Sequence, residues 1–180
     1  AAQQSFQTGM APYWLIAEDL TGDGKPDVAT VNTNSNSVSV LTNTSSAGSL
    51  GFASRNAEFG GGIRTTNFAM GDVNADGKKD LVTSNFDGHT VSVMTNITAA
   101  GGSPNFVSRK DYLTRLLKGT RSVATGDFNN DGFNDIAAAV DLNTAEGGFS
   151  IYLNNGQHEF PQRVDYSSGI FAARFVIGAD

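Results

Sequence analysis

Asp19-Leu-Thr-Gly-Asp23-Gly-Lys-Pro-Asp27 recurs as Asp72-Val-Asn-Ala-Asp76-Gly-Lys-Lys-Asp80 and again as Asp127-Phe-Asn-Asn-Asp131-Gly-Phe-Asn-Asp135. The leading aspartates lie 53 and 55 residues apart, and Asp180 follows the third by another 53. Self-similarity at a period of about 50 residues predicts stacked structural units that share one continuous core.

Each nonapeptide sits between apolar stretches. Leu15-Ile-Ala, Phe68-Ala-Met, Val123-Ala-Thr and Val176-Ile-Gly lead towards the repeated aspartate, and Val28-Ala-Thr-Val, Leu81-Val-Thr-Ser and Ile136-Ala-Ala-Ala follow the nonapeptides. A third stretch alternates with period two in Val38-Ser-Val-Leu, Val91-Ser-Val-Met and Phe149-Ser-Ile-Tyr, and closes on Asn43, Asn96 and Asn154. A fourth repeats Phe-x-x-Arg at Phe52 and Arg55, Phe106 and Arg109, and Phe160 and Arg163. Short β-type runs between Gly, Asn and Ser clusters read as strands joined by turns. Four such strands per unit predict an all-β fold of β-propeller blades, each of four antiparallel strands. Phe6 is in phase with Phe59, Tyr112 and Tyr166, so the chain is expected to open on a leftover fourth strand and to close on another blade's first strand. The expectation is one repeat domain over residues 1–180, with three complete blades plus partial strands at both ends. A propeller needs about four blades at least, so the remaining ones are expected from a longer chain or from other copies.

The repeated loop has the chemistry of a calcium site. Calcium takes roughly six to eight oxygen ligands held by a tight turn. Side chains at the first, third, fifth and ninth positions can converge, joined by the backbone carbonyl of the seventh. That assigns Asp19, Thr21, Asp23, Lys25 and Asp27 to the first loop. The second has Asp72, Asn74, Asp76, Lys78 and Asp80, and the third Asp127, Asn129, Asp131, Phe133 and Asp135. Gly24, Gly77 and Gly132 allow the reversal between the fifth and seventh positions. The chain has no cysteine and only two histidines, His89 and His158, neither near a loop, so soft-metal readings fail. An EF-hand is excluded because its position-twelve glutamate is replaced by Thr30, Thr83 and Ala138, and because β-type sequence follows where a helix is required.

The same pattern resembles the FG-GAP/VCBS repeats of integrin-α-like β-propellers, and the resemblance spans essentially the whole chain. It implies a calcium loop between the first and second strands of each blade, where the ion usually stiffens the fold and does no chemistry. Thr21 departs from the usual Asn or Asp, which predicts a weaker first site. The Gly-Ala-Pro sequence of true integrin repeats is missing, so integrin-specific function does not carry over.

Composition narrows the function classes. The net charge is −6, but nine of the 18 acidic residues lie in the three loops. Three divalent cations would cancel that charge, so the acidity reads as a coordination inventory. The 12 basic residues form no dense cluster beyond Lys78-Lys79 and Arg109-Lys110, which argues against a nucleic-acid partner. No apolar run reaches the roughly 18 residues of a membrane span, so no membrane insertion is expected. Asn43-Thr-Ser and Asn96-Ile-Thr match the glycosylation sequon, although their repetition favours a turn role.

Variable segments join each blade to the next, and the resemblance puts them on the face opposite the calcium loops. They carry Tyr13, Trp14, Arg64, Arg115, Lys118, Arg121 and Arg174. Variable loops on a rigid scaffold are where binding is usually built. Tyr13, Trp14, Arg64, Arg115, Arg121 and Arg174 are therefore the candidate ligand residues, with aromatic rings to stack a sugar and guanidinium groups to pair its acidic substituents. The function expected from sequence is a calcium-stabilised, secreted or cell-surface binding or adhesion module. Its expected partner is a glycan or an extracellular protein. Two rivals stand beside it: the propeller domain of a secreted carbohydrate-active enzyme (a lyase or a dehydratase), and a self-assembling scaffold. Against the enzyme, no acid–base constellation converges in the sequence and no connection is long enough for a lid.

Overall fold

The computed structural model describes residues 3–53, 57–114, 119–141, 147–167 and 174–178, the side chains of residues 57 and 58 excepted. All regular structure among them is β. Strands β1 (Pro12–Glu18), β2 (Asp27–Asn32), β3 (Ser37–Leu41) and β4 (Ala57–Gly60) form one antiparallel sheet in sequential order. Strands β5 (Thr65–Gly71), β6 (Asp80–Asn85), β7 (Thr90–Asn96) and β8 (Phe106–Leu113) form the second. Strands β9 (Gly119–Gly126), β10 (Asp135–Asp141), β11 (Gly148–Leu153) and β12 (Gln162–Ser167) form the third. These are three propeller-type blades, and they do not close into a ring.

Period-two alternation places the cores between blades. In β6, Leu81 belongs to the core shared with the first sheet, and its neighbour Val82 to the core shared with the third. Phe68 and Ala69 divide in the same way along β5. The middle sheet is thus buried on both faces, and every residue of β6 is buried, the polar ones included. In the third sheet the corresponding Ile136-Ala-Ala-Ala run is buried throughout.

The first strands of the blades face one another along the axis. Asn67 Oδ1 accepts from the Val123 backbone N–H at 3.1 Å and from the Ser122 hydroxyl at 3.3 Å. Ser122 Oγ is in turn 3.3 Å from the Val176 carbonyl. Trp14 packs on the first core and lies 5.7 Å from the Phe175 ring. The four equivalent positions Trp14, Asn67, Ser122 and Phe175 therefore line one axial cleft of about 240 Å3.

The end segments differ from expectation. Residues around Phe6 and residues 174–178 carry no strand pairing. They keep the packing positions of strands all the same: Phe6 meets Phe52 edge-on at 5.3 Å, as Phe59 meets Phe106 at 4.8 Å and Tyr112 meets Phe160 at 5.3 Å. The repeated Phe is less regular than its spacing suggests. Phe106 opens β8, Phe52 makes only an isolated bridge to Asn43, and Phe160 precedes β12.

The repeated arginine is a blade-to-blade clamp. Arg109 Nε and Nη2 each donate to the Asp111 carboxylate at 2.8 Å, and Nη1 reaches the Gly61 carbonyl at 2.7 Å. Arg163 repeats this on Asp165 at 3.0 Å and the Leu113 carbonyl at 2.8 Å. Arg55 lies outside the described residues. Burial raises the Asp111 carboxyl, but the Arg109 fork and the Ser92 hydroxyl outweigh it and hold the group below its ordinary value. Arg109→Leu keeps the apolar stem and deletes the fork. Given its partial exposure, we expect a loss of about 1–2 kcal/mol in urea unfolding, and an unchanged midpoint would remove the clamp from the energetics.

Candidate metal loops and the opposite face

Each aspartate loop joins the first strand of a sheet to the second, over residues 19–26, 72–79 and 127–134. The leading aspartate organises the loop backbone. Asp72 accepts the N–H of Asp76 at 3.1 Å and of Gly77 at 2.8 Å, and Asp127 accepts those of Asp131 at 3.0 Å and Gly132 at 2.8 Å. Asp19 accepts from Gly22, Asp23 and Gly24. Desolvation raises the Asp19 carboxyl, but these N–H groups prevail and lower it from its ordinary value. The fifth-position aspartates Asp23, Asp76 and Asp131 each accept the N–H two residues on, at 2.9 Å. Gly24, Gly77 and Gly132 have φ of +82°, +84° and +91°, the left-handed region read from the sequence. The fourth position is also left-handed at Gly22, Ala75 and Asn130, which the motif gave no reason to expect.

The ninth-position aspartate does something the sequence did not reveal. Asp27, Asp80 and Asp135 are fully buried. One oxygen accepts the second-position N–H, from Leu20 at 3.0 Å, Val73 at 3.0 Å or Phe128 at 3.1 Å. The other accepts the N–H of the asparagine that closes the third strand, Asn43, Asn96 or Asn154, at 2.8 Å in every sheet. That asparagine donates its own side-chain amide to the backbone just before the aspartate: Asn43 to Pro26, Asn96 to Lys79 and Asn154 to Asn134. Aspartate and asparagine therefore staple the loop to the end of the third strand. Asn96 is buried with both ends of its amide bonded, a structural role that a glycan on its nitrogen would break. Burial pushes the Asp80 carboxyl up to about 6, with repulsion from Asp76 and Asp72 adding to it and the Asn96 and Val73 N–H groups opposing it. Burial raises Asp135 in the same way, with Asp131 and Asp127 adding.

What remains for a cation in each loop is the first- and fifth-position carboxylates, the third-position oxygen and the seventh-position carbonyl. Among the described residues no three Asp, Glu, His or Cys side chains gather into a metal shell by themselves. The donor chemistry nevertheless fits a hard cation: all these side-chain donors are oxygens. A carboxylate oxygen that accepts one N–H also keeps a second lone pair.

The first loop is built differently. Asn74 and Asn129 turn their Oδ1 onto the fifth-position N–H at 3.0 Å. Thr21 is buried instead, and its Oγ1 bonds to none of the described residues. The Gly101 N–H of the β7–β8 connection donates to the Thr21 carbonyl at 2.7 Å, and Ala100 closes over Gly22. The third sheet meets the second loop through other groups: Asn154 donates to the Val73 carbonyl at 2.7 Å and Asn134 to the Asp72 carbonyl at 2.9 Å. A buried threonine at position 21 therefore has a packing reason.

At the other end, the β2–β3 turn meets the blade-to-blade connection: Asn36 accepts the Gly61 and Arg64 N–H groups, and Arg64 and Ile63 accept those of Phe86 and Gly88. Strand direction alone puts this end opposite the aspartate loops. Arg64 and Arg121 come together there on the Phe86 ring, at 4.9 Å and 4.4 Å from its centre. Arg121 is also committed to the buried Asp141, at 2.6 Å. Tyr13 and Arg174 are exposed and Trp14 is half-buried. Arg115 and Lys118 lie outside the described residues. The aromatic partner of the arginines is thus Phe86, which the sequence reading missed because it has no repeat equivalent, and neither Tyr13 nor Trp14. The His89 backbone carbonyl holds Thr114, and its Nδ1 is buried and bonded to none of the described residues.

Two family models match this arrangement, an FG-GAP-like repeat over residues 3–83 and an FG-GAP repeat over residues 119–153, together more than half of the chain. The chain is an FG-GAP-type repeat protein. The first match runs from the Phe6 segment into the second sheet's β6 and includes two whole aspartate loops, and the second covers β9 to β11 and includes the third. No curated protein matches this FG-GAP-type chain.

Proposed function

We propose that the protein is a calcium-stabilised, extracellular β-propeller binding module. The observation that carries the reading is the threefold loop: an all-oxygen donor set in the same phase of three sheets, on left-handed turns whose shape the leading aspartates hold in advance. Placing three such loops between rigid strands suits a stiffening ion better than a reacting one, because no acid–base pair converges on any loop. FG-GAP repeats are typical of extracellular proteins, which supports a calcium-rich setting. The binding surface of this reading is the end opposite the loops, where Arg64 and Phe86 lie on connections and exposed Tyr13 at the start of β1. A glycan with acidic groups is the ligand class such residues favour.

Calorimetric titration tests the metal. We expect about three calcium sites with affinities near 10⁻⁴ M, typical of extracellular modules. Asp76→Asn removes one charge from the second loop and should weaken that one site by about tenfold, given the charge dependence of such sites. A titration with no calcium heat, or an Asp76→Asn profile identical to wild type, would reject the assignment.

A further inference from the structure

The second and third aspartate loops are tied together by two side-chain amides. Asn134, at the eighth position of the third loop, donates to the Asp72 carbonyl at 2.9 Å. Asn154, the staple of the third sheet, divides its amide between the Asn134 carbonyl at 2.9 Å and the Val73 carbonyl at 2.7 Å. A continuous chain of hydrogen bonds therefore links the two ninth-position carboxylates. Asp135 accepts the Asn154 N–H, Asn154 donates to the Val73 carbonyl, and the Val73 N–H donates to Asp80. All four residues are buried, where a low local dielectric strengthens such bonds. The first and second loops are joined more loosely. Lys79 stands where Asn134 does and sets its ammonium on the Glu18 carboxylate at 2.9 Å, an exposed ion pair of small effect. Asn96 stands where Asn154 does, and among the described residues its amide nitrogen donates to the Lys79 carbonyl alone. The Thr21 carbonyl is held by Gly101, which lies outside the second loop.

We propose that the second and third loops bind calcium as a coupled pair, each raising the other's affinity, while the first binds independently; this rests on the calcium reading above. The link is a matter of order. Asn134 lies between the Phe133 carbonyl and Asp135, two of the groups assigned to the third loop's ion, so fixing those groups also fixes the Asn134 amide. That amide and Asn154 in turn hold the carbonyls of Asp72, the leading ligand of the second loop, and of Val73 beside it. Ordering completed at one loop need not be repeated at the other, which gives positive coupling without a change of shape. Linkage makes the effect equal in both directions.

The N–H groups of Gly24, Gly77 and Gly132 each donate to the leading aspartate of their loop at 2.8 Å. Their amide NMR signals therefore report the three loops separately while calcium is titrated into this chain. Asp131→Asn weakens the third loop by removing a charge. It should also weaken the second loop by about fivefold, the lower end of usual coupling, and leave the first unchanged. Asp76→Asn should lower the third loop's affinity by the same factor, and Asp23→Asn should leave the other two loops as they were. Asn134→Ala deletes the linking amide but no assigned ligand, so every loop should still bind. In that background Asp131→Asn should shift the second loop by less than about twofold, which separates the amide link from the loss of a nearby charge. Should Asn134→Ala melt early, the match between the two reciprocal aspartate effects still decides. Loop glycines that ignore calcium would overturn the calcium reading and the coupling with it. Three calcium sites with a second loop indifferent to Asp131→Asn, or equally affected by it in the Asn134→Ala background, would overturn the coupling alone.

Discussion

Asp80→Ala is expected to destabilise the fold by roughly 3–5 kcal/mol, because two buried backbone N–H groups lose their carboxylate acceptor in one step. The carboxylate is fully buried and divides its oxygens between Val73 and Asn96. Alanine leaves a hole between the loop and the end of β7, with no polar group left to fill it. For a chain of this size the melting midpoint should fall by about 10 °C or more. Asp80→Asn should cost less. It removes the charge whose burial pushes the pKa up to about 6, and its carbonyl still serves one N–H while its NH2 meets the other. The loss in the alanine variant should persist in chelator, since the staple works through backbone groups. If chelator abolishes the difference between variant and wild type, Asp80 acts only as a ligand and the staple contributes nothing.

Much of this fold is readable in the sequence because its determinants are local. The spacing of Asp19, Asp23 and Gly24 fixes a turn of nine residues. The alternation in Val38-Ser-Val-Leu fixes a strand whose two faces differ. Contacts made through backbone groups at a distance are invisible to such a reading. Asp27 and Asn43 are each noticeable as repeated residues, but the bond between them joins a carboxylate to a main-chain N–H 16 residues away, and a main-chain N–H carries no residue identity. The same limit hid the function of the repeated arginine, whose partners include the carbonyls of Gly61 and Leu113. Phe86 escaped for the opposite reason. Its position is not periodic, and only the turn geometry that brings Arg64 and Arg121 together gives it meaning. Thr21 shows how connection length matters: the roof over the first loop comes from residues 99–102 of the next sheet, which no reading of the nonapeptide alone could supply.

Chelation of calcium should lower the stability of the whole chain by about 4 kcal/mol and the melting midpoint by about 10 °C. With affinities near 10⁻⁴ M and 1 mM calcium, each site contributes roughly 1.4 kcal/mol by linkage, and three independent sites add. The loops themselves indicate where that energy comes from. Asp76 and Asp72 act together to raise Asp80, and Asp131 and Asp127 act in the same way on Asp135. That repulsion is a cost of the folded state alone, and a divalent cation between the carboxylates would relieve it. Sodium chloride relieves it only by screening, so adding salt to the chelated protein should recover a minor part of the midpoint. Magnesium should also recover little, because it demands near-octahedral geometry and gives up its waters reluctantly. Differential scanning calorimetry with calcium, with chelator, and with chelator plus magnesium separates these contributions. A midpoint that ignores chelator would leave the aspartates as turn-forming residues held by their own backbone N–H bonds, with no ion in the fold.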